Sequence, residues 1–195
     1  YGAGKTNLCV IAAINVAKNY GKVIFIDTEG GFSAERAKQI CGNETEKILD
    51  KIFFFKPTDF KEQQEVFEKL KEMVNADIKL IVVDTISMLY RLERGINGEP
   101  FDANIELAKQ IAYLTQIARK SNIPVLIANQ VYADFENPIG VKIVGGDILK
   151  YGSKCLIELQ AGHNGIRKAT LIKHRSQPQS KEMLFRIVNN GIESV

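Results

Sequence analysis

A chain of 195 residues, 45% hydrophobic and 25% charged with a net charge of +3, can bury its own core; this composition excludes disordered, collagenous and disulfide-stapled classes. Its three cysteines, Cys9, Cys41 and Cys155, are scattered among apolar neighbours, which argues against a disulfide framework or metal cluster and predicts reduced thiols in a cytoplasmic protein. No apolar run approaches the ~20 residues of a membrane span, so no membrane partner is expected.

In chain order, Tyr1-Gly2-Ala3-Gly4-Lys5-Thr6 reads as the back end of G-x-x-x-x-G-K-[ST], whose first glycine would fall two residues before Tyr1. Small residues at Gly2, Ala3 and Gly4 let backbone N–H groups curl around phosphate oxygens. Lys5 would reach the β- and γ-phosphates, and Thr6 would place its hydroxyl on Mg²⁺. A glycine-rich turn capping a helix is the competing reading. A helix is predicted from Lys5 to about Asn19, with Leu8, Ile11, Ala12 and Val16 on its apolar stripe and Gly21 at its end. Residues 22–27 form a continuous apolar run ending in Asp27, as expected of a strand buried on both faces of a parallel sheet. After the turn Thr28-Glu29-Gly30-Gly31, Ser33 N-caps a helix to about Cys41. Residues 52–55 are a second strand, and Asp59 caps a helix carrying Phe60, Phe67, Leu70 and Val74 at helical spacing.

Residues 80–84 are a third strand, ending in Asp84. A polar loop with Gly95, Gly98 and Pro100 is expected next, then a helix over 102–121 with Leu107, Ile111, Leu114 and Ala118 on one face. Residues 124–128 are a fourth strand, followed by Asn129-Gln130, and 134–147, with three glycines and a proline, are expected to form a loop. The period then changes. Residues 155–160, 169–174 and 184–188 read as antiparallel strands, the first two joined by a Gly162/Gly165 turn. The expected fold is an α/β core, mostly a parallel sheet flanked by helices, with a C-terminal antiparallel extension, and residues 1–195 are expected to form a single such core.

In a parallel sheet, ligands lie beyond the carboxyl ends of the strands, and polar groups converge there. Asp84 fits the carboxylate that holds the Mg²⁺ shell, against a strand-end cap as its alternative. Glu29 would orient and deprotonate the attacking water, against a turn carboxylate capping the next helix. Gln130 would sense a γ-phosphate, against a simple strand-end hydrogen bond. Lys5, Glu29, Asp84 and Gln130 are therefore the expected catalytic set.

Gly4-Lys5-Thr6, residues 26–36 (IDTEGGFSAER), residues 80–85 (LIVVDT) and residues 127–131 (IANQV) together resemble the RecA-type recombinase core in order and spacing. The likeness continues through Pro138-Ile139-Gly140, Gly145-Gly146-Asp147 and Phe185-Arg186-Ile187, and within the family it is greatest to the short archaeal paralogues that consist of the ATPase core alone. It implies a RecA-like P-loop NTPase fold, with ATP and Mg²⁺ as cofactors. Gly2, Ala3, Gly4, Lys5, Thr6, Asn7 and Arg36 would bind the nucleotide, with Arg36 against adenine, and Thr6 and Asp84 would serve the metal. Gln130 would lead into one DNA-binding loop, and residues 134–146 would be the second.

That second loop is short, and its only basic residue is Lys142, which departs from members that exchange strands. Charge is also uneven: residues 150–195 carry 8 Lys/Arg against 3 Asp/Glu, and residues 1–149 carry 18 against 20. A basic end suits a polyanion, and a solvated surface accounts for it equally. Lys142, Lys150, Lys154, Arg167 and Lys168 are the expected phosphate contacts on DNA bound without sequence preference, with Tyr132 and Phe135 able to stack on bases. The expected function is an accessory factor, or mediator, of recombination and repair, associated with the nucleoid, weakly hydrolytic and without strong strand exchange. Its expected partners are a full-length archaeal recombinase or a junction-processing nuclease, with self-association open. The alternatives are a DNA-stimulated recombinase ATPase and a RecA-fold signalling ATPase without a DNA role.

Overall fold

In the computed structural model, the described residues are 2–96, 100–133 and 141–195. Helix α1 (Lys5–Asn19) leads into β1 (Lys22–Asp27), then α2 (Ala34–Cys41), a 3-10 turn, α3 (Thr45–Leu49) and β2 (Ile52–Phe55). Helix α4 (Phe60–Met73) precedes β3 (Ile78–Asp84), α5 (Met88–Ile96), α6 (Pro100–Lys120) and β4 (Val125–Ile127). The remainder is β5 (Val131–Ala133), β6 (Val141–Ile143), α7 (Gly146–Gly152), β7 (Leu156–Ala161), β8 (Ile166–Lys173), β9 (Glu182–Val188) and β10 (Gly191–Ser194).

The strands are ordered β2-β1-β3-β4 in a parallel sheet and β10-β9-β8-β7 in an antiparallel one, with β5 and β6 as a separate hairpin. The predicted mostly parallel α/β core with an antiparallel extension is therefore present. Alternation along β1 and β3 explains the apolar runs. Val23, Phe25, Leu80 and Val82 pack on the α1–α3 side, and Ile24, Ile26, Ile81 and Val83 on the α4–α6 side. Each such fully buried side chain stabilises the fold by about 1.5–3 kcal/mol. The two predicted caps form: Ser33 Oγ accepts from the Arg36 N–H at 3.1 Å, and an Asp59 oxygen accepts from the Glu62 N–H at 2.8 Å.

Three expectations need correction, and one strand was not expected. The buried stripe of α1 is Cys9, Val10, Ala13, Ile14 and Ala17, whereas Leu8, Ile11, Ala12 and Val16 are only partly buried. Residues 8–14 of this helix are apolar on every face, so spacing alone does not single out the face that meets β1 and β3. The polar loop expected after Asp84 is instead largely α5, within which Gly95 lies; Gly98 is outside the described residues. Ile86, Leu89 and Tyr90, at helical spacing, bury themselves against the α4–α6 core, which offsets the charged character of Arg91, Glu93 and Arg94. Pro100 opens α6, a position where its missing N–H costs nothing.

Of the loop expected over 134–147, residues 134–140 lie outside the described residues; 141–143 are instead strand β6, with Val131 opposite Ile143 and Tyr132 opposite Lys142, and 146–147 begin α7. Finally, β10 pairs along β9, although its short Gly-Ile-Glu-Ser sequence carries little strand signal.

Beneath the end of β3, Gln63 of α4 donates to Gln110 Oε1 of α6 at 2.7 Å and to the Ile86 carbonyl at 3.4 Å. This ties the helical layer to the segment that follows Asp84.

Candidate functional site

The ends of β1, β3 and β4 and the start of α1 meet at one edge of the parallel sheet. Asp27, almost wholly buried, accepts from the backbone N–H groups of Gly31 and Phe32, both at 3.0 Å, and so folds the turn after β1. Thr28 sews this turn to β3: its N–H donates to Asp84 O at 2.9 Å and its hydroxyl to Thr85 O at 2.7 Å. Asp27 is thus a structural carboxylate, and Glu29 is the one the turn presents.

Gly2 and Gly4 occupy the left-handed region, with φ of 70° and 98°. Gly4 has a second constraint, because a Cβ there would meet Ile187 Cδ1 at 3.2 Å and Arg167 Cδ at 3.3 Å. No side chain caps α1, so the N–H groups of its first turn remain for an anion. This local geometry is able to cradle a phosphate.

Beside the cradle, Asp84 is fully buried, and neither of its oxygens has a hydrogen-bond partner of normal geometry among the described residues. Burial pushes its carboxyl above the usual carboxylate range; Glu29 and Asp27 add to the rise, while the Thr6 hydroxyl and Lys5 oppose it. A buried carboxylate without a partner, next to a hydroxyl, is costly unless a cation joins it. Those donors fit Mg²⁺, a hard ion that takes oxygen ligands and retains part of its water shell.

Glu29 stands at the centre of a polar line. Its Oε1 accepts from the Thr85 hydroxyl at 3.0 Å and from Gln130 Nε2, and Gln130 Oε1 in turn accepts from Arg91 at 2.5 Å. The structure therefore brings Glu29 and Gln130 together at the sheet edge that also holds Asp84 and the cradle. Arg91 was not anticipated from sequence. The only signal for it was the helical spacing of Ile86, Leu89 and Tyr90, which puts Arg91 on a helix.

Arg36 has all five of its N–H groups engaged. They donate to Asn7 Oδ1 at 2.9 Å, Gln39 Oε1 at 3.0 Å, Asn189 O at 2.8 Å, Val188 O at 2.8 Å and Gly191 O at 3.2 Å. With the plane saturated, only the faces of the guanidinium remain for a ligand, which suits stacking. Arg36→Ala is expected to destabilise the protein by about 2 kcal/mol, because it removes ties among α1, α2 and the β9–β10 turn. A thermal melt should show a fall of about 4–8 °C. Arg36→Lys should restore little of it, since one ammonium cannot reach five acceptors in a plane.

The predicted DNA contacts fall into separate places. Tyr132, half exposed, sits across the hairpin from Lys142. Lys150 lies on α7 and Lys154 just after it, both exposed. Lys168 pairs with Glu182 at 2.9 Å. Arg167 turns to the phosphate cradle, its Nε donating to Gly2 O at 3.3 Å. Phe135 lies outside the described residues.

The Rad51 family profile matches residues 1–195. The chain is 42% identical over 195 residues to the DNA repair and recombination protein RadB of Methanococcus maripaludis strain C7, covering 100% of this chain and 88% of that one. It is 41% identical over 198 residues to the protein of the same name in Methanocaldococcus jannaschii, covering 100% and 89%. A crystal structure of the RadB recombinase superposes with a TM-score of 0.84 at 38% identity, covering 100% of this chain and 87% of that one.

Proposed function

This chain belongs to the Rad51 family and, within it, to the RadB DNA repair and recombination proteins, and from that premise we propose that it is an ATP-binding, DNA-binding accessory factor of homologous recombination. Residues 1–195 act as one ATPase core. Gly2–Thr6 and the start of α1 would hold ATP, with Asn7 and Arg36 on the base side. Thr6 and Asp84 would hold Mg²⁺, which would supply charge screening for the β- and γ-phosphates, and Lys5 would share that task. Glu29 orients the attacking water, and Gln130 relates the state of the nucleotide to the β5–β6 hairpin. The observation that carries the nucleotide assignment is the buried Asp84 carboxylate, beside the Thr6 hydroxyl and without a hydrogen-bond partner of normal geometry among the described residues.

The mediator role is supported by two of the five candidate cations being turned elsewhere: Lys168 is paired with Glu182, and Arg167 donates to Gly2 O. Lys142, Lys150 and Lys154 are the phosphate contacts in this reading, with Tyr132 as the stacking residue. So small a set suits assistance to a full-length archaeal recombinase or a junction-processing nuclease better than the hold on stretched DNA that strand exchange needs. Slow ATP hydrolysis, self-association and a cytoplasmic, nucleoid-associated location belong to the same reading. No helix among the described residues is long and apolar enough to cross a membrane.

The test is the salt dependence of DNA affinity by fluorescence anisotropy. About three phosphate contacts predict a slope of log K against log salt of roughly −2 to −3. Lys142→Ala, Lys150→Ala and Lys154→Ala should each flatten it by about 1. A much steeper slope, together with ATP turnover strongly stimulated by DNA, would favour an autonomous recombinase instead.

A further inference from the structure

Gln130 carries a carboxamide with one accepting and one donating end, and both ends are occupied. Arg91 on α5 donates to Oε1, and Nε2 donates to Glu29 Oε1. Turning the amide over would set its oxygen against a carboxylate and its NH₂ against a guanidinium, which has no acceptor to offer. The cation on one side and the carboxylate on the other therefore select the same sense of the amide, and the cation is the part that lies outside the reacting groups. The main chain of the same residue anchors the hairpin: the Val144 N–H donates to Gln130 O at 3.1 Å, and Asn129 Nδ2 donates to Val144 O at 2.8 Å. Three segments far apart in sequence, the turn after β1, helix α5 and the exit of β4, thus meet at one side chain.

We propose that Arg91 is a positioning residue that fixes the sense of the Gln130 amide, so that the Arg91–Gln130–Glu29 line keeps the water-positioning carboxylate engaged until Gln130 turns away. In this arrangement Glu29 Oε1 already accepts two hydrogen bonds, from Thr85 and Gln130, and each competes with a water for that oxygen. Of the two N–H groups on Nε2, one is held by Glu29 and the other points to Met88 Sδ at 3.9 Å, so Gln130 has to turn before it donates to a nucleotide phosphate. The line therefore couples two events that would otherwise be independent, release of Glu29 and movement of the hairpin base. Both ends of the amide are bound by ionised groups, which makes these bonds stronger than neutral ones. Arg91 and Glu29 are exposed, so the line can open without disturbing the core.

This rests on the reading of Glu29 as the group that orients the attacking water, and the experiment separates the two. Arg91→Met and Arg91→Lys would be made in the whole chain. ATP turnover would be measured with and without DNA, and amide hydrogen exchange over residues 141–144 in nucleotide-free protein. Arg91→Met should raise DNA-independent kcat about threefold to tenfold, the net weight of one solvent-exposed hydrogen bond, with KM for ATP held within about twofold. It should also lower the stimulation by DNA and speed exchange at Val144, whereas Arg91→Lys should recover most of the parent behaviour. Unchanged exchange over 141–144, or a kcat that falls equally with and without DNA, would overturn the proposal. A Glu29→Gln control that still turns over would overturn the role of Glu29 instead, and the exchange measurement would then still decide whether Arg91 holds Gln130.

Discussion

Glu29→Gln should lower ATP turnover by at least about a hundredfold, the usual weight of a positioned general base, while leaving KM for ATP nearly unchanged. The reasoning begins with the turn after β1, which is held closed by Asp27 through the Gly31 and Phe32 N–H groups and by Thr28 through Asp84 and Thr85. None of these bonds depends on Glu29, so the variant retains the turn and the phosphate cradle. Glutamine can still accept from Thr85, but it cannot take a proton from water at neutral pH. The expected signature is thus a loss in kcat alone, measured by single-turnover release of labelled phosphate. Turnover within a few fold of the parent would remove Glu29 from the chemistry.

Asp84→Asn should act in opposite directions on stability and on metal binding. Asp84 is buried with no hydrogen-bond partner of normal geometry among the described residues, and its folded-state pKa is raised by burial first, with Glu29 and Asp27 adding to it. A raised pKa means that the folded protein binds the proton more tightly than the unfolded chain does. At neutral pH the ionised carboxylate is therefore a penalty on folding, and the penalty is relieved as pH falls through the folded-state pKa.

Asparagine removes the charge, so the nucleotide-free variant should be more stable at pH 7 by about 0.5–2 kcal/mol, the common gain from neutralising a strained functional site. For a chain of this size that is a rise in melting temperature of about 1–8 °C. The gain should shrink as pH is lowered into the carboxylate range, where the parent is protonated as well. Mg²⁺ affinity in the presence of ATP should fall by about 10- to 100-fold, so added Mg²⁺ and ATP should stabilise the parent more than the variant. Melting curves at pH 7 and pH 4, with and without Mg²⁺ and ATP, check every arm. A destabilised nucleotide-free variant at pH 7 would show that Asp84 has a protein partner after all.

Much of the architecture was legible because its signals are local. Strands such as residues 22–27 and 80–84 are unbroken apolar runs bounded by breakers, and a strand covered on both faces needs nothing more to be recognised. Ser33 and Asp59 begin their helices through bonds to N–H groups three residues on, a distance the chain itself sets. Helix α5 escaped notice because Arg91, Glu93 and Arg94 give its stretch a polar reading, and only the pocket among α4, α6 and β3 rewards burial of Leu89 and Tyr90. In α1 the helix was plain but its buried face was not, since its middle, residues 8–14, is apolar on every face and takes its orientation from the sheet it meets.

The same division runs through the site. Gly2 to Thr6 lie next to one another, so their spacing already implies a cradle, and an apolar run ending in Asp84 already implies a carboxylate at a sheet edge. The partners of these groups are another matter. Thr85 reaches Glu29 across 56 residues, Arg91 reaches Gln130 across 39, and Gln130 reaches Glu29 across 101. Arg36 meets the β9–β10 turn more than 150 residues away, and Arg167 turns to the cradle because Phe185 and Ile187 of the neighbouring strand bring its sheet there. Spacing carries information only over the few residues that one helical turn or one loop can hold together. Which side chains face one another across the sheet is decided when the strands stack, and so the binding motif is written in the sequence while its coupling is written in the fold.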